Sequence, residues 1–223
     1  CFDMIFADPP YFLSNDGFSC QNGQMVSVNK GEWDKSKGMA ADLEFYEEWL
    51  RLCYALLKPN GTIWVCGTYH NVYMVGYMMQ LIGYHTLNNI TWEKPNPPPN
   101  LSCRFFTHST ETLLWAKKGK KAKHTFHYDA MKAQNGGKQM KCVWQFTPPN
   151  KLEKTFGKHP TQKPLALLER CIVAASNPGD LIFDPFMCSG TTGVAALKHG
   201  RQFCGCEVET DYFELAQKRM KHD

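Results

Sequence analysis

Short apolar runs alternate with longer segments of helical periodicity over the first 92 residues of the chain. The run Phe2–Ala7 predicts a buried strand, and Asp8-Pro9-Pro10 ends it because consecutive prolines cannot continue a hydrogen-bonded ladder. Residues 12–40 are rich in Gly, Ser, Asn and Lys, which predicts a long loop. A loop of this length inside a compact domain is usually functional or disordered.

The next segments continue the alternation of helix and strand. A helix capped by Asp42 is predicted, because one of its faces is then apolar: Phe45, Trp49, Leu52, Cys53 and Leu56. Lys58-Pro59-Asn60-Gly61 is a stop-and-turn signal that ends this helix. The pattern then predicts the strand Thr62–Cys66, the helix Asn71–Leu81 closed by Gly83, and the strand Leu87–Trp92. This order is typical of βαβ units, so we expect a parallel sheet.

The alternation of predicted helices and strands stops between Glu93 and Lys163, where prolines are clustered and lysines and aromatic residues are frequent. Only Glu111–Lys117 has a clear strand pattern there. Alternation then resumes with five elements: the helix Leu165–Ser176, the strand Leu181–Asp184, the helix Thr191–His199, the strand Gln202–Cys206 and the helix Tyr212–Met220. We therefore predict an α/β fold in which residues 1–92 and 159–223 form one domain and residues 93–158 form an irregular basic insert.

The composition indicates a globular protein of the reducing cytoplasm. With 43% hydrophobic and 13% aromatic residues, the chain can bury a core, and its formal charge of +4 permits an anionic partner without requiring one. We find no apolar run of membrane-spanning length and no signal peptide. The ten cysteines include no C-x-x-C pair, so no metal site is predicted. Those in apolar stretches are expected to be buried: Cys53, Cys66, Cys171, Cys204 and Cys206.

Asp8-Pro9-Pro10-Tyr11 follows the first predicted strand, at the edge of an open α/β sheet where ligands bind. An aromatic amine is a poor nucleophile because its lone pair is delocalised into the ring. A carboxylate and a backbone carbonyl that each accept one amine hydrogen draw that lone pair out of conjugation. Prolines leave their carbonyls free, and a tyrosine ring can stack on a base for ~1–3 kcal/mol. The simpler alternative is a strand that ends in a proline turn with a solvated aspartate.

A second strand–loop–helix junction, Asp184–Thr192, reads Asp-Pro-Phe-Met-Cys-Ser-Gly-Thr-Thr. Small residues let the backbone approach a ligand, and the following helix directs N–H groups at it. Glu207 ends the next strand, where a carboxylate can accept both hydroxyls of a ribose. Together they indicate a nucleoside-type cofactor; a phosphate-binding loop is disfavoured because no lysine precedes Thr191-Thr192. The third motif, His159-Pro160-Thr161-Gln162-Lys163-Pro164, is on its own a polar turn that opens a helix.

These three motifs in this order resemble the β-group amino-methyltransferases of bacterial restriction–modification systems. The likeness is to the DpnII type and, more distantly, to the HinfI type, and it extends over nearly the whole chain. It includes four segments: Phe6–Phe12, Gly31–Lys35, Asn100–Arg104 and Thr107–Thr112. The resemblance implies a Rossmann-like fold with a circularly permuted motif order, S-adenosylmethionine as methyl donor, and duplex DNA as substrate.

The family pattern also implies roles for individual residues. Asp8 and Pro9, with Pro10 in the same turn, receive the exocyclic amine of an extruded adenine; Tyr11 stacks on the base, and Glu207 holds the donor's ribose. The remaining donor-binding candidates come from the turn, the loop and the third motif: Asp8, Asp184, Pro185, Phe186, Ser189, Gly190, Thr191, Thr192, His159, Thr161, Gln162 and Lys163. The implied reaction is direct transfer to N6 of adenine, with GATC as the target expected from the DpnII likeness, and it needs no enzyme nucleophile.

The predicted insert, residues 93–158, is the expected target-recognition segment. Asn100 and Arg104 are candidates for base-edge contacts, and a basic run is the candidate for phosphate contacts: Lys117, Lys118, Lys120, Lys121 and Lys123. A merely solvated lysine-rich turn is an equal alternative for that run. Five tryptophans are expected in the core: Trp49, Trp64, Trp92, Trp115 and Trp144. A homodimer and association with a restriction–modification system fit the resemblance, but no residue specifies either.

One ambiguity and two departures from the family pattern keep alternatives open. Cytosine-N4 relatives tend to carry Ser in place of Asp8, so Asp8 favours adenine without excluding cytosine. Relatives commonly have Gly in place of Cys188, where a side chain would crowd the donor or strain the backbone. Relatives also carry an acidic residue upstream of the first strand that helps to hold the donor's adenine; this sequence begins at Cys1, so we expect that side of the pocket to be incomplete. A DNA-binding relative that has lost catalysis therefore remains an alternative.

Overall fold

The computed structural model describes residues 1–14, 18–21, 24–27 and 29–222. Within these residues the strands are β1 Phe2–Ala7, β2 Phe18–Gln21, β3 Gln24–Ser27, β4 Leu57–Gly67, β5 His85–Glu93, β6 Thr110–Lys117, β7 Val143–Gln145, β8 Leu181–Asp184 and β9 Gln202–Gly205. The helices are α1 Met39–Leu56, α2 Val72–Ile82, α3 Tyr128–Gln134, α4 Leu165–Ala175, α5 Thr191–Lys198 and α6 Thr210–His222, with short 3₁₀ helices at Glu32–Asp34 and Leu152–Lys154.

The main sheet has seven strands in the order β7-β5-β6-β4-β1-β8-β9, and β2 and β3 form a separate hairpin. β1 pairs in parallel with β4 on one side and with β8 on the other. The chain leaves β1 through α1 toward β4, and it leaves β8 through α5 toward β9, in the opposite direction. The carboxyl ends of β1 and β8 therefore flank a topological switch point, which is where open α/β sheets bind ligands.

The prediction of a parallel sheet is only partly correct, because β6 runs antiparallel to both β4 and β5. This strand also corrects the picture of an irregular insert. Residues 110–117 lie between two strands of the main sheet, and β7 pairs with β5. The role of residues 93–158 in target recognition remains a prediction.

Helices cover both faces of the sheet. Because successive side chains of β1 point to opposite faces, this strand packs against helices on both sides. Ile5 and Ala7 pack in one cluster with residues of α1 and α2, whereas Met4 and Phe6 pack in another with residues of α4 and α5. Both faces of β1 are thus buried over residues 4–7, which explains the apolar run that follows Asp3. The five tryptophans expected in the core are all buried there: Trp49, Trp64, Trp92, Trp115 and Trp144.

Helix α1 differs from its prediction. It begins at Met39, so Asp42 lies in its first turn rather than at the cap, and its carboxylate accepts a hydrogen bond from the Ser36 hydroxyl. Leu52 and Leu56 are exposed, and the buried face is formed by Asp42, Tyr46, Trp49, Leu50 and Cys53. The expected turn at residues 58–61 is instead part of β4.

Two further predictions need correction. Residues 12–40 contain the β2–β3 hairpin and the first 3₁₀ helix, although residues 15–17, 22, 23 and 28 of this segment lie outside the described residues. Cys204 and Cys206 are exposed, whereas Cys53, Cys66 and Cys171 are buried as expected. No helix among the described residues is both long enough and apolar enough to cross a membrane.

Candidate active site

A cavity of about 240 Å³ opens at the switch point between β1 and β8. Residues from the predicted turn, loop and third motif line it together: Asp8, Pro9, Pro10, Tyr11, His159, Thr161, Pro185, Phe186, Cys188 and Glu207. The side chain of residue 8 therefore shares one cavity with the loop after β8, although the two are separated by more than 170 residues in the chain. The parallel pairing of β1 with β8 produces this convergence.

The two prolines after Asp8 differ in what their carbonyl groups bind. The Tyr46 hydroxyl of α1 donates to the carbonyl of Pro10 over 2.8 Å. The carbonyl of Pro9 receives no hydrogen bond from the described part of the chain. Of the two carbonyls beside the Asp8 carboxylate, the one at Pro9 can therefore accept a hydrogen from a ligand in the cavity.

Asp34 fixes the backbone that follows this turn. One oxygen of its buried carboxylate accepts the N–H groups of Tyr11 and Phe12, over 3.2 and 2.9 Å, and the other accepts the Ser14 hydroxyl over 2.8 Å. Phe12 has a φ of 56°, in the left-handed region that is unfavourable for a side-chain-bearing residue. Three hydrogen bonds to one carboxylate offset that cost and hold Tyr11 beside Asp8.

The Asp8 carboxylate has two partners in the structure. The Tyr11 hydroxyl donates to Oδ1 over 2.7 Å, and the Lys163 ammonium donates to Oδ2 over 2.6 Å. Burial lowers the pKa of Lys163, but Asp8 and Glu111 outweigh that effect and raise it above its ordinary value, so Lys163 stays charged. Burial, with Asp8 and Glu111 next, raises the pKa of Tyr11, which keeps the hydroxyl a donor. Lys163, expected beside the donor, is thus an ion-pair partner of Asp8.

Asp184 contributes to the shape of its loop rather than to the cavity wall. Its buried carboxylate accepts the Phe186 N–H over 2.9 Å and the Thr192 hydroxyl over 2.5 Å, which ties the loop to the start of α5. Burial raises the pKa of Asp184 to about 7 against the opposing effect of these hydrogen bonds. Of this loop's candidates, the structure places Pro185 and Phe186 in the cavity and Asp184 behind them.

Ser189, Gly190, Thr191 and Thr192, predicted to shape the donor pocket, do not line the cavity of about 240 Å³. Ser189, Thr191 and Thr192 instead line a smaller pocket that shares Asp8, Phe186 and Cys188 with it, so their role in donor binding stays a prediction. The buried guanidinium of Arg219, on α6, donates to the Ser189 carbonyl and to the hydroxyls of Ser189 and Thr191. Gly190 has a φ of 76°, and a Cβ there would lie 2.8 Å from the Cβ of Ala216. These residues dock the loop onto α6, which the strand–loop–helix pattern alone does not reveal.

Cys188 stands at the turn of this loop with a φ of 50° and lines the cavity. The position therefore requires the left-handed backbone that glycine adopts without cost, and the prediction of strain at Cys188 is confirmed. The Cys188 side chain also occupies space at the cavity wall. Burial, followed by Asp8 and Asp184, raises the pKa of its thiol well above the ordinary value, so the group is a neutral thiol.

Some residues of the third motif line the cavity, and others point into the protein interior. His159 stacks beside Trp33 at 6.1 Å between ring centroids and meets Tyr212 edge-on at 4.2 Å. Burial, then Lys163 and Lys30, lowers the pKa of His159 to about 4, so the ring is neutral near pH 7. Thr161 also lines the cavity, whereas the Gln162 side chain is turned away and donates to the Glu153 carbonyl over 2.8 Å.

Sequence reasoning missed several residues that complete the cavity wall: Lys30, Trp33, Asp34, Phe45, Cys206, Val208, Glu209 and Tyr212. Trp33 and Asp34 belong to the segment Gly31–Lys35, whose resemblance to relatives was a usable signal. Glu207 lines the cavity as predicted, and one oxygen of its carboxylate accepts the Glu209 N–H over 2.9 Å.

The DNA-binding candidates lie at opposite edges of the sheet. Gly67 of β4 pairs with Thr112 and Thr62 pairs with Lys117, so β6 starts at the edge of Asp8 and Lys117 lies about 16 Å from Thr112, at ~3.3 Å per residue. The loop that carries Asn100 and Arg104 joins β5 to the start of β6, on the side of the cavity. The lysine run begins at the opposite edge.

The geometry favours the solvated-turn alternative for the lysine run. Two of its five ammonium groups are used inside the protein, where Lys117 donates to the Ala122 carbonyl over 2.9 Å and Lys118 to the Leu57 carbonyl over 2.6 Å. The lysine run thus lies at the edge of the sheet opposite the cavity, and phosphate contacts by Lys117, Lys118, Lys120, Lys121 and Lys123 stay a prediction. Asn100 shapes its own loop, because its amide donates to the Phe105 carbonyl and accepts from Ser102.

Known proteins have sequences and folds similar to those of this chain. Residues 2–218 match the family described as DNA methylase. The chain is 57% identical over 220 residues to the Type II methyltransferase M2.DpnII of Streptococcus pneumoniae, a match that covers 98% of this chain and 82% of that protein. It is 56% identical to the Type II methyltransferase M2.LlaDCHI of Lactococcus lactis subsp. cremoris, over 98% of this chain and 81% of that protein.

Solved structures agree with the sequence relatives. A crystal structure of an M1.HpyAVI–SAM complex superposes with a TM-score of 0.74 at 31% identity, covering 98% of this chain and 88% of that one. The cytosine-N4-specific PvuII DNA methyltransferase shares the fold, with a TM-score of 0.74 at 18% identity over 98% of this chain and 79% of that one. With the family match spanning almost the whole chain, the protein belongs to the DNA methylase family.

Proposed function

We propose that this DNA methylase transfers a methyl group from S-adenosylmethionine to N6 of an adenine in DNA, with GATC as the expected target. One observation carries the proposal: Asp8 and Pro9 line the same cavity as Phe186 and Glu207, and the Pro9 carbonyl accepts no hydrogen bond from the described part of the chain. Those two acceptors match the two hydrogens of an exocyclic amine. The relatives named as Type II methyltransferases support the reaction class.

The chain's own groups account for activation of the amine. Asp8 and the Pro9 carbonyl each accept one amine hydrogen, which frees the nitrogen lone pair from the ring. As the amine becomes cationic, the fixed negative charge of Asp8 stabilises it. The Tyr11 ring supplies a stacking face, since adenine N6 is reachable only after the base leaves the duplex stack, at a cost of a few kcal/mol.

The cavity walls fit S-adenosylmethionine. Phe186, Trp33 and Tyr212 are aromatic walls suited to an adenine ring, and the Glu207 carboxylate, with one oxygen engaged by the Glu209 N–H, keeps an oxygen for ribose hydroxyls. The donor supplies an activated methyl group on a sulfonium when it is bound. M1.HpyAVI, 31% identical, was solved as a SAM complex, which supports this choice of donor.

The proposed DNA-facing surface is the loop 94–109, because it stands on the cavity edge of the sheet. Arg104 is exposed there and is free to reach a base or a phosphate, whereas Lys120 is exposed at the opposite edge. We expect Arg104→Ala to weaken DNA binding about tenfold at moderate salt, and the matched control Lys120→Ala to change it less than about twofold. Fluorescence anisotropy with labelled duplexes measures the DNA affinity of both variants. A larger loss of affinity for Lys120→Ala than for Arg104→Ala would assign DNA binding to the lysine run instead.

The reaction is tested by identifying the modified base. The protein is incubated with methyl-labelled S-adenosylmethionine and a duplex containing one GATC, with a matched duplex containing GTAC, and the nucleosides are separated after digestion. We expect labelled N6-methyladenine from the GATC duplex alone. Labelled N4-methylcytosine would assign the alternative base, and DNA binding without donor binding or transfer would assign the catalytically lapsed alternative.

The assembly and location of the protein belong to the same proposal. Association with a restriction–modification system follows from the Type II names of its relatives. The same proposal includes a homodimer and a cytoplasmic location. Sedimentation of the purified chain, alone and with DNA, measures whether the homodimer forms.

A further inference from the structure

Glu111 is a half-buried acid that neither the three motifs nor the proposed reaction uses. It stands near the start of β6, which the antiparallel pairing with β4 places at the edge of the sheet where Asp8 lies. Its side chain is 13% exposed, and Lys94 donates to its Oε1 over 2.5 Å. Burial raises the pKa of Glu111, but Lys163 and Lys94 outweigh burial and lower it, so this carboxylate is ionised.

The other oxygen of Glu111 faces the two groups that hold Asp8. The Tyr11 hydroxyl lies 2.7 Å from Asp8 Oδ1 and 3.4 Å from Glu111 Oε2. The Lys163 ammonium lies 2.6 Å from Asp8 Oδ2 and 3.5 Å from Glu111 Oε2. Both donors therefore stand between two carboxylates and are nearer to Asp8, which leaves Glu111 Oε2 as a second acceptor just beyond ordinary hydrogen-bond length.

This arrangement competes with the task of Asp8 in the proposed reaction. Each Asp8 oxygen already accepts one short hydrogen bond, so an amine hydrogen would have to share an oxygen with the Tyr11 hydroxyl or the Lys163 ammonium. The Tyr11 hydroxyl carries a single hydrogen, so it can donate fully to one carboxylate only. A hydroxyl that rotated away without another acceptor would lose a charge-assisted hydrogen bond in a buried site, at a cost of about 1.5–3 kcal/mol.

We propose that Glu111 is a positioning residue that takes over the Tyr11 hydroxyl when the target base enters, so that Asp8 Oδ1 is released to accept the amine hydrogen. This inference rests on the proposed function. The exchange moves one hydrogen bond from Asp8 to Glu111 and transfers no proton. Lys94 holds Glu111 in place for it, and Lys163 keeps both carboxylates compensated throughout.

A double-mutant cycle separates this role from a general effect of charge or folding. In Glu111→Gln the single remaining oxygen is held by the Lys94 ammonium, so the amide N–H₂ faces Tyr11 and cannot accept its hydroxyl. In a Tyr11→Phe background there is no hydroxyl to accommodate, and Asp8 Oδ1 is already unoccupied. The single-turnover rate of methyl transfer is measured in the wild type, both single variants and the double variant, with donor affinity measured by calorimetry.

We expect Glu111→Gln to slow transfer about tenfold when Tyr11 is present and less than about twofold when residue 11 is Phe, at unchanged donor affinity. An equal loss in both backgrounds would overturn the proposal, because Glu111 would then act through Lys163 or through the fold. No loss in either background would overturn it as well.

Glu111→Asp provides the same test if the neutral variant folds poorly. It keeps the charge beside the two lysines but withdraws the carboxylate by about one bond length, and the same dependence on Tyr11 is expected. A wild-type enzyme that transfers no methyl group to adenine would contradict the proposed function itself. Transfer by the wild type, with an effect of Glu111 that does not depend on Tyr11, would contradict only the present inference.

Discussion

Two aspartates end neighbouring strands and each precedes a proline, yet the structure gives them opposite surroundings. Asp8 follows β1 and meets the cavity, where its carboxylate binds Tyr11 and Lys163. Asp184 ends β8 and is buried, with its carboxylate bound to Phe186 and Thr192 of its own loop. One aspartate lines the cavity, and the other holds a loop in shape.

The strand register explains the difference. Ile5 pairs with Phe183, so Asp184 lies level with Phe6 and Asp8 reaches two residues further toward the open edge of the sheet. A step of two residues, about 6.6 Å, separates a side chain in the core from one at the cavity. The local motif Asp-Pro therefore does not assign a role; the depth of the residue in the sheet does.

The largest expected effect that distinguishes the two aspartates is a pH dependence of stability at Asp184. Its pKa of about 7 exceeds the ordinary value of about 3.9, so between those pH values the folded state binds a proton that the unfolded state has lost. This contribution to stability falls as pH rises through that window, by at most roughly 4 kcal/mol at ~1.4 kcal/mol per pH unit. Chemical denaturation from pH 4 to 8 should show Asp184→Asn gaining stability relative to the wild type; a constant difference would contradict the account.

A smaller effect concerns donor binding on the Asp184 side of the cavity. Glu207→Gln removes the carboxylate proposed to hold the ribose, and we expect the Kd for S-adenosylmethionine to rise about tenfold with kcat at saturating donor unchanged within about twofold. The matched control is Glu214→Gln, an exposed acid on α6 outside the cavity. Loss of kcat without loss of donor affinity in Glu207→Gln would contradict the assignment of donor binding to the Asp184 side of the cavity and of amine activation to the Asp8 side.

The smallest effect is expected at Cys188. Cys188→Gly relieves a left-handed backbone, worth about 1 kcal/mol, but also makes the unfolded chain more flexible by a similar amount. We therefore expect the melting temperature to change by only a few degrees, while donor affinity rises a few-fold because the side chain no longer narrows the cavity. Calorimetry measures this directly, and weaker donor binding in the glycine variant would show that the sulfur contributes a favourable contact.

Local sequence signals were sufficient where one short segment determines its own structure. The strand β8 has the bounds that its apolar run predicted, and Gly83 closes α2 with a φ of 112° in the left-handed region. The Asp8 turn was also predictable, since a buried strand followed by two prolines can only end at a sheet edge. Each of these depends on neighbours within a few residues.

The remaining features depend on pairing between distant segments. The sequence alone does not show that the antiparallel register of β6 places Lys117 at the edge of the sheet opposite the cavity. It also does not show that Arg219, thirty residues after Ser189, donates to the Ser189 hydroxyl. Glu111 lies in Thr107–Thr112, one of the segments that resemble relatives, but that likeness assigns it no role. Its importance comes from lying beside Asp8 and Lys163 across two strands.

Asp8→Ala tests the central claim most directly, with single-turnover methyl transfer to adenine measured beside donor affinity on the same preparation. If Asp8 acts on the amine as described, transfer falls by at least about 1,000-fold while the Kd for the donor stays within about threefold. Transfer at the normal rate in this variant would contradict the account, because activation of the amine would then not depend on the Asp8 carboxylate.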